Sequence, residues 1–451
     1  MKKYIAIILT ALLFIGCDDF LDIHPTGKVI AETGEEYRAL LTDVYSNIPE
    51  DRGLTTLRSD EVAANYNDLT GLDYDSYYDI WSWTDYNRNP SSLYFGWRRY
   101  YHSCYIANYV IEHKNEITNA KQHEIDQLVG ESYMMRAYMH FLLVNLYAPA
   151  YTNCDPATTR GVPLQLTADV NAVLQCSSVE QVYKSVLQDI DSAAVYMNVE
   201  KWDEGYNYRF STVTAHALRA RVALYMGDWE LAFNEAKEVI EVYPELEDLN
   251  VKNSLLPTNY KSVESIMALE QVITSNLMSL GHVNPELLDL YRSGDSRKKL
   301  YFSAKTLTKW VYRTRNTSEE RCTFRAGEFY LIAAEAANEL GSNEDALTYI
   351  KTLMQKRYTE KVYDGYALAL DTLGQEALRE EIAVERQREL AYQGHRWFDL
   401  RRTTQPKLIK VFEKADTISP DTLMLLQGDE RYTLRFPSEA LEANPGLENW
   451  K

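Results

Sequence analysis

The chain has 451 residues, of which 47 are Lys or Arg and 66 are Asp or Glu, so its net charge at pH 7 is -19. A surface this acidic repels nucleic acid and anionic lipid, and we expect neither as a partner. Five cysteines are too few for a disulfide scaffold over this length. Cys154 and Cys176 flank a polar segment and could form one disulfide; the alternative is two separate, partly buried thiols.

The N-terminus has the pattern of a secretory signal peptide. Two lysines precede an apolar run over residues 5–15, which is too short to span a bilayer. Gly16 followed by Cys17 matches the cleavage site of bacterial lipoproteins, so we predict a signal peptide over residues 1–16 and lipidation of Cys17. An ordinary signal peptide with an incidental Cys17 thiol is the alternative. No later run reaches about 18 apolar residues, so the lipid would be the membrane anchor.

Aromatic residues are concentrated between Tyr74 and Tyr101. From Tyr74 to Pro90 they alternate irregularly with Asp, Asn and Arg, which predicts a loop because no helical or strand period is present. Aromatic faces stack on the apolar faces of sugar rings while such polar neighbours bond the hydroxyls, so this loop suits carbohydrate. From Leu93 onward the pattern becomes helical, and we expect Trp97 to lie in the core.

Helical periodicity dominates the following part of the chain. Residues 134–142 place apolar side chains on one helical stripe. Gly227 and Gly341 each separate two apolar, alanine-rich stripes, which predicts a helix, a glycine turn and a second, antiparallel helix. Each pair has about the 34 residues of a tetratricopeptide unit. The two turns lie 114 residues apart, so the helical hairpins are dispersed among long irregular segments.

A densely charged segment lies near the C-terminus. Acidic and basic side chains alternate over residues 385–389, which favours ion pairs along one helix. Gly394 is placed to end this helix, and the apolar side chains of residues 397–400 would pack the next turn. We therefore expect this segment to organise the core and to contact no ligand.

The same segment, residues 385–402 with the sequence ERQRELAYQGHRWFDLRR, closely resembles the signature of the SusD/RagB family, the surface lipoproteins of Bacteroidetes nutrient-uptake systems. Four other segments are similar to segments of that family: residues 17–22, 324–336, 434–438 and 444–445. Two residues depart from the family pattern, since Gln393 stands where Glu is usual and Phe436 where Ile is usual.

The resemblance implies a mostly α, SusD-like fold, with dispersed tetratricopeptide-like helix pairs and long irregular loops. It implies a lipidated tether over residues 17–24 and one nutrient-binding domain over residues 25–451. Such proteins face outwards from the outer membrane, lie as a lid over a SusC-like TonB-dependent transporter and hand it an oligosaccharide. The alternatives are a peptide-binding, RagB-like lid, a protein-interaction scaffold outside transport, and a glycoside hydrolase.

Starch-binding members of the family contact their ligand with residues from the N-terminal region. By position, the resemblance implies a glycan site formed by Trp81, Trp83, Tyr86, Asn87 and Asp60. Weaker candidates are Trp310 and Tyr312, whose segment alternates like a strand.

Enzyme motifs are missing from the sequence. It contains no nucleophile elbow, phosphate-binding loop or zinc spacing, although counting alone does not exclude a glycosidase carboxylate pair. We therefore expect a binding protein that is no enzyme and needs no cofactor or metal.

Overall fold

The computed structural model describes residues 31–84, 93–274, 280–313, 318–413 and 420–448. The predicted signal peptide, the tether and Cys17 lie outside these residues, as do Tyr86 and Asn87. Helices dominate the described chain, which confirms the mostly α prediction.

The helices of the described residues are numbered here in chain order. They are α1 (Gly34–Ser46), α2 (Asp51–Arg58), α3 (Leu72–Trp81), α4 (Arg98–Glu112), α5 (Gln122–Tyr147), α6 (Val179–Tyr196), α7 (Thr212–Met226), α8 (Trp229–Val242), α9 (Pro285–Leu290), α10 (Arg297–Tyr301), α11 (Ala326–Glu339), α12 (Asn343–Gln355), α13 (Glu360–Leu370), α14 (Gln375–Glu389), α15 (Arg396–Arg402) and α16 (Ser438–Ala443).

The strands are short and form antiparallel pairs. They are β1 (Val62–Ala63), β2 (Arg160–Pro163), β3 (Cys176–Ser178), β4 (Ser265–Met267), β5 (His282–Val283), β6 (Phe302–Ala304), β7 (Trp310–Tyr312), β8 (Phe324–Arg325), β9 (Leu408–Phe412) and β10 (Asp421–Leu425). The pairs are β1 with β5, β2 with β3, β4 with β8, β6 with β7, and β9 with β10. The strand predicted around Trp310 and Tyr312 is confirmed as β7.

Both predicted helical hairpins are confirmed. Gly227 adopts a left-handed φ of 74° between α7 and α8, and Gly341 adopts one of 80° between α11 and α12. A residue without Cβ tolerates this conformation, so each glycine ends its helix and lets the chain reverse. The alanines at the helix contacts are fully buried, so the two helices of each pair pack closely.

Helix α5 is the centre of the fold. It packs against α4 and α6, and almost every residue from Leu128 to Tyr147 is buried. This is more than the single apolar stripe predicted for residues 134–142, because neighbouring elements cover α5 on all sides. The main hydrophobic core extends from Ala31 to Leu447, so elements from both ends of the described chain share it. The thiols of Cys154 and Cys176 are free.

A buried cluster of ion pairs surrounds Glu389 at the end of α14. Its carboxylate accepts hydrogen bonds from Arg297 at 2.9 Å, Arg325 at 2.7 Å and Arg357 at 2.8 Å. Glu264 shares Arg325 and Arg357 with it. Burial opposes the ionisation of Glu389, but the three guanidinium groups outweigh it and hold its pKa well below the usual range. The charged segment therefore organises the core mainly through long-range pairs, and the predicted pairing along the helix is also present, between Arg388 and Glu385.

Helix α14 ends five residues earlier than predicted, at Glu389 rather than at Gly394. The carbonyl of Glu389 accepts hydrogen bonds from the side chains of Arg325 and Gln393, which replace the next helical N–H groups. Tyr392 and Gly394 then turn the chain with positive φ angles of 63° and 69°. A Cβ at Gly394 would overlap the backbone of Arg52, so glycine is required there.

Candidate functional site

A cavity of about 770 Å³ opens at the N-terminal ends of α2 and α4, within the size range typical of ligand sites. We call it the Trp97 cavity. Its walls come from the start of α2, the segment before α4, and residues 271–274. Aromatic, carboxylate, guanidinium and amide groups line it: Tyr77, Tyr94, Trp97, Glu50, Asp51, Glu439, Arg98, Arg99 and Gln271.

Trp97, the residue directly before α4, forms one wall of the cavity. Its half-buried ring packs edge-on against Tyr147 and Phe436, with centroids 5.1 and 5.0 Å apart, and lies 4.9 Å from Tyr101. The Tyr147 hydroxyl also donates hydrogen bonds to the carbonyls just before Trp97, at 2.9 and 2.8 Å. These contacts with Tyr147, Phe436 and Tyr101 therefore hold the Trp97 ring in position where it lines the cavity.

The N-terminus of α2 is bonded to the segment that carries Trp97. Asp51 accepts a hydrogen bond of 2.6 Å from the Gly96 N–H, which ties α2 to the segment before α4. Burial raises the pKa of Asp51 to about 6, although this hydrogen bond acts to lower it. A Cβ at Gly53 would lie within 2.5 Å of the Val272 carbonyl, so this glycine lets α2 approach residues 271–274 closely.

The mouth of the cavity carries charged and aromatic side chains. Glu50, Arg98 and Arg99 are exposed, and the Tyr94 ring is 49% exposed. Burial raises the pKa of Glu50, while the charges of Arg321 and Arg99 oppose that shift. Rings that stack and ionised groups that form charge-assisted hydrogen bonds are suited to a ligand with both apolar faces and hydroxyl groups.

The predicted glycan contacts of Trp81 and Trp83 are contradicted by the structure, because both rings are buried. Each ring is 1% exposed, and their N–H groups donate to the carbonyls of Val62 at 2.9 Å and Arg58 at 2.8 Å. The two rings enclose the ammonium group of Lys410, which lies 5.1 and 4.4 Å from their centroids. Burial, with the nearby charge of Arg58, lowers the pKa of Lys410 well below its usual value.

The predicted loop between Tyr74 and Pro90 begins as helix α3 instead, which ends at Trp81. The missed signal is a helical spacing: Tyr74, Tyr78 and Trp81 lie at i, i+4 and i+7. All three rings pack on Phe412 of strand β9, with centroids 5.0 to 6.0 Å apart. A distant strand therefore buries aromatic residues that a local reading of the sequence assigned to a loop.

The remaining predicted site residues that the structure describes also lie outside the Trp97 cavity. The Asp60 carboxylate accepts two hydrogen bonds from Arg396, at 2.8 and 2.7 Å, so it joins α2 to α15 as a structural ion pair. Tyr312 is buried, and Trp310 lies half-buried on β7. Tyr94 lines the cavity although it is not among the predicted site residues, and Trp97, which is expected in the core, is only half-buried.

Two further observations concern the described residues alone. None of their helices is both long enough and apolar enough to cross a membrane. No group of three or more His, Cys, Asp or Glu side chains in this part of the chain could hold a metal ion.

Two family models match the chain. One, described as "Starch-binding associating with outer membrane", matches residues 19–224. The other, the SusD family, matches residues 275–435, so the two together span most of the sequence.

Similar proteins agree with these matches. SusD-like protein P38 of Formosa agariphila is 23% identical, in an alignment covering 94% of this chain and 96% of that protein. A SusD superfamily structure from Bacteroides thetaiotaomicron is 19% identical, with a TM-score of 0.75 over 92% of this chain and 99% of that one. A structure described as a laminarin-binding SusD-like protein is 17% identical, with a TM-score of 0.66 over 93% and 99%. With its helical fold, its buried charged signature segment and these matches, the chain belongs to the SusD/RagB family of nutrient-binding proteins.

Proposed function

We propose that this protein binds an oligosaccharide in the Trp97 cavity and delivers it to a SusC-like TonB-dependent transporter. The observation that carries the proposal is the lining of that cavity. Three aromatic side chains, Tyr77, Tyr94 and Trp97, share it with Glu50, Arg98 and Arg99. Sugar rings present apolar faces for stacking and hydroxyls for hydrogen bonds, so this mixture matches a glycan better than an apolar ligand.

The ligand class is also supported by the similar proteins. One matching family model is described as starch-binding, and one similar structure is described as laminarin-binding. Starch and laminarin are therefore the first glycans to test. The proposed role is capture and release without chemistry, so incubation with either polysaccharide should yield no shorter products.

Tyr94 offers the sharpest test of the glycan site, because its exposed ring lines the cavity and its removal leaves no hole in the core. Tyr94→Ala should lose about 1 to 3 kcal/mol of binding free energy, or roughly fivefold to more than a hundredfold in affinity. Calorimetry on residues 25–451, with a glycan chosen from an array, measures this loss.

Tyr206→Ala is the matched control for Tyr94→Ala. Its ring is 54% exposed, similar to that of Tyr94, but it lines no part of the Trp97 cavity. The control should bind as the wild type does. If both variants bound the glycan equally well, the Trp97 cavity would not be the glycan site. If the protein bound peptides and no glycan, the peptide-binding alternative would be favoured.

The anchoring proposal rests on the sequence before the described residues. Cys17 follows a signal-peptide pattern, and the family model described as associating with the outer membrane begins at residue 19. Cys17→Ala should therefore release the protein from the membrane or leave its signal peptide uncleaved. Protease added to intact cells should degrade the wild type; complete protection would contradict an outward-facing location.

The transporter is the proposed partner. A lid requires a large interface, so purification in mild detergent from cells that express both genes should recover the transporter together with this protein. Recovery of this protein alone as a monomer would contradict the delivery role, while glycan binding would remain to be judged by calorimetry.

A further inference from the structure

A second cavity, of about 500 Å³, lies beside the Trp97 cavity. It is lined by side chains of the same mixed character, including Tyr208, Tyr260, Asn207, Ser46 and Arg321. We call it the Tyr260 cavity. Its aromatic, amide, hydroxyl and guanidinium groups are of the kinds that line the first cavity.

Two stretches of chain run directly from one cavity to the other. In the first stretch, Ser46 lines the Tyr260 cavity and Pro49 lines the Trp97 cavity. In the second, Leu269 lines the Tyr260 cavity and Gln271 lines the Trp97 cavity. Three residues of chain span at most about 11 Å and two residues at most about 7 Å, so the two cavities are neighbours. The charge of Arg321, which lines the Tyr260 cavity, also acts on Glu50 at the mouth of the Trp97 cavity.

The wall of the Tyr260 cavity is held in a fixed conformation. The buried Asn207 side chain donates a hydrogen bond of 2.8 Å to the Tyr260 carbonyl, and the backbone carbonyl of Asn207 accepts one of 2.8 Å from the Ala268 N–H. The Tyr208 ring packs edge-on against Tyr45, with centroids 5.5 Å apart. Because these groups are ordered before any ligand arrives, binding would cost little further ordering.

We propose that the Tyr260 cavity is an additional saccharide subsite, so that the ligand is an extended oligosaccharide running from Trp97 past Arg321 to Tyr260. This inference rests on the proposed glycan-binding function. Tyr260 and Tyr208 would contact sugar rings, and Arg321, which is exposed and donates a 3.2 Å hydrogen bond to the Leu269 carbonyl, would bond hydroxyls between the two cavities. Short saccharides would occupy the Trp97 cavity alone.

The test uses oligosaccharide series of increasing length, prepared from starch, laminarin and xylan, with residues 25–451 of wild type and variants. Wild-type affinity should rise with chain length until both cavities are filled. Tyr260→Ala and Arg321→Ala should each weaken binding of the long members by about tenfold, equivalent to about 1.4 kcal/mol, and leave the short members unchanged. Two different variants guard against a local folding defect at either position.

Each variant has a matched control. Tyr243 is half-buried with a lysine over its ring, as Tyr260 is, and exposed Arg313 bonds a backbone carbonyl, as Arg321 does. Neither control residue lines either cavity, so both alanine variants should bind as wild type. Affinity that does not depend on length, or long chains bound equally by all variants, would overturn the second subsite and leave glycan binding intact. Failure of the wild type to bind any member would overturn both.

Discussion

The pH dependence of stability should depend strongly on one buried carboxyl group, that of Glu61. Its side chain is 1% exposed and accepts a hydrogen bond of 3.1 Å from the Tyr392 N–H. Burial and the neighbouring charge of Asp60 raise its pKa from an ordinary 4.5 to about 8. The hydrogen bond from the Tyr392 N–H and the charge of Arg396 lower the pKa but do not offset this rise. Glu61→Gln keeps the size of the side chain and an oxygen for Tyr392 but cannot ionise.

The expected magnitude follows from that shift. Between pH 4.5 and about 8 the unfolded chain is ionised at Glu61 while the folded chain holds the proton, so stability falls as pH rises. Each pH unit in this window costs about 1.4 kcal/mol, or about 5 kcal/mol in total. Above pH 8 both states are ionised and the loss is constant. Glu61→Gln should therefore gain stability relative to wild type by up to this amount across the window.

Urea unfolding of residues 25–451 at several pH values from about 5 to 9 measures the difference. The exposed Glu442→Gln, on α16, is the control for loss of one negative charge. Its stability should follow that of wild type at every pH. If the stability of Glu61→Gln also ran parallel to that of wild type across the window, burial would not raise the pKa of Glu61 as described above.

Three substitutions test other parts of the structure by thermal or urea unfolding. Trp83→Ala should lose about 3 to 5 kcal/mol, because it empties a core site; a loss below about 1 kcal/mol would show that the ring is exposed in solution. Arg396→Ala should lose about 1 to 3 kcal/mol by leaving Asp60 unpaired, and unchanged stability would contradict that clamp. Gly394→Ala should cost more than Gly428→Ala, since both have positive φ but only Gly394 faces backbone within reach of a Cβ; equal costs would contradict the close packing.

The fold was predictable from the sequence where local signals decide it. Gly227 and Gly341 mark turns that depend on residues within a few positions, and both hairpins formed as expected. The end of α14 was not predictable from local sequence. Arg325, which is distant in the sequence, donates a hydrogen bond to the carbonyl of Glu389, which in a longer helix would accept one from a backbone N–H.

The candidate site was predictable only as a region rich in aromatic residues. Trp81 and Trp83 are buried by Phe412 and Lys410, which lie more than 300 residues away in the sequence. Trp97 lines a cavity because Asp51 and Gly96 bring α2 and α4 together. These long-range contacts determine which aromatic side chains face solvent. Local periodicity in the sequence does not carry that information.

The proposed function depends above all on binding of a glycan in the Trp97 cavity. A crystal structure of residues 25–451 with the oligosaccharide that the array selects tests it most directly. We expect a sugar ring stacked on Trp97 or Tyr94, with hydroxyls bonded to Glu50, Arg98 or Arg99. A saccharide bound elsewhere on the protein, with no contact to these aromatic rings, would contradict it.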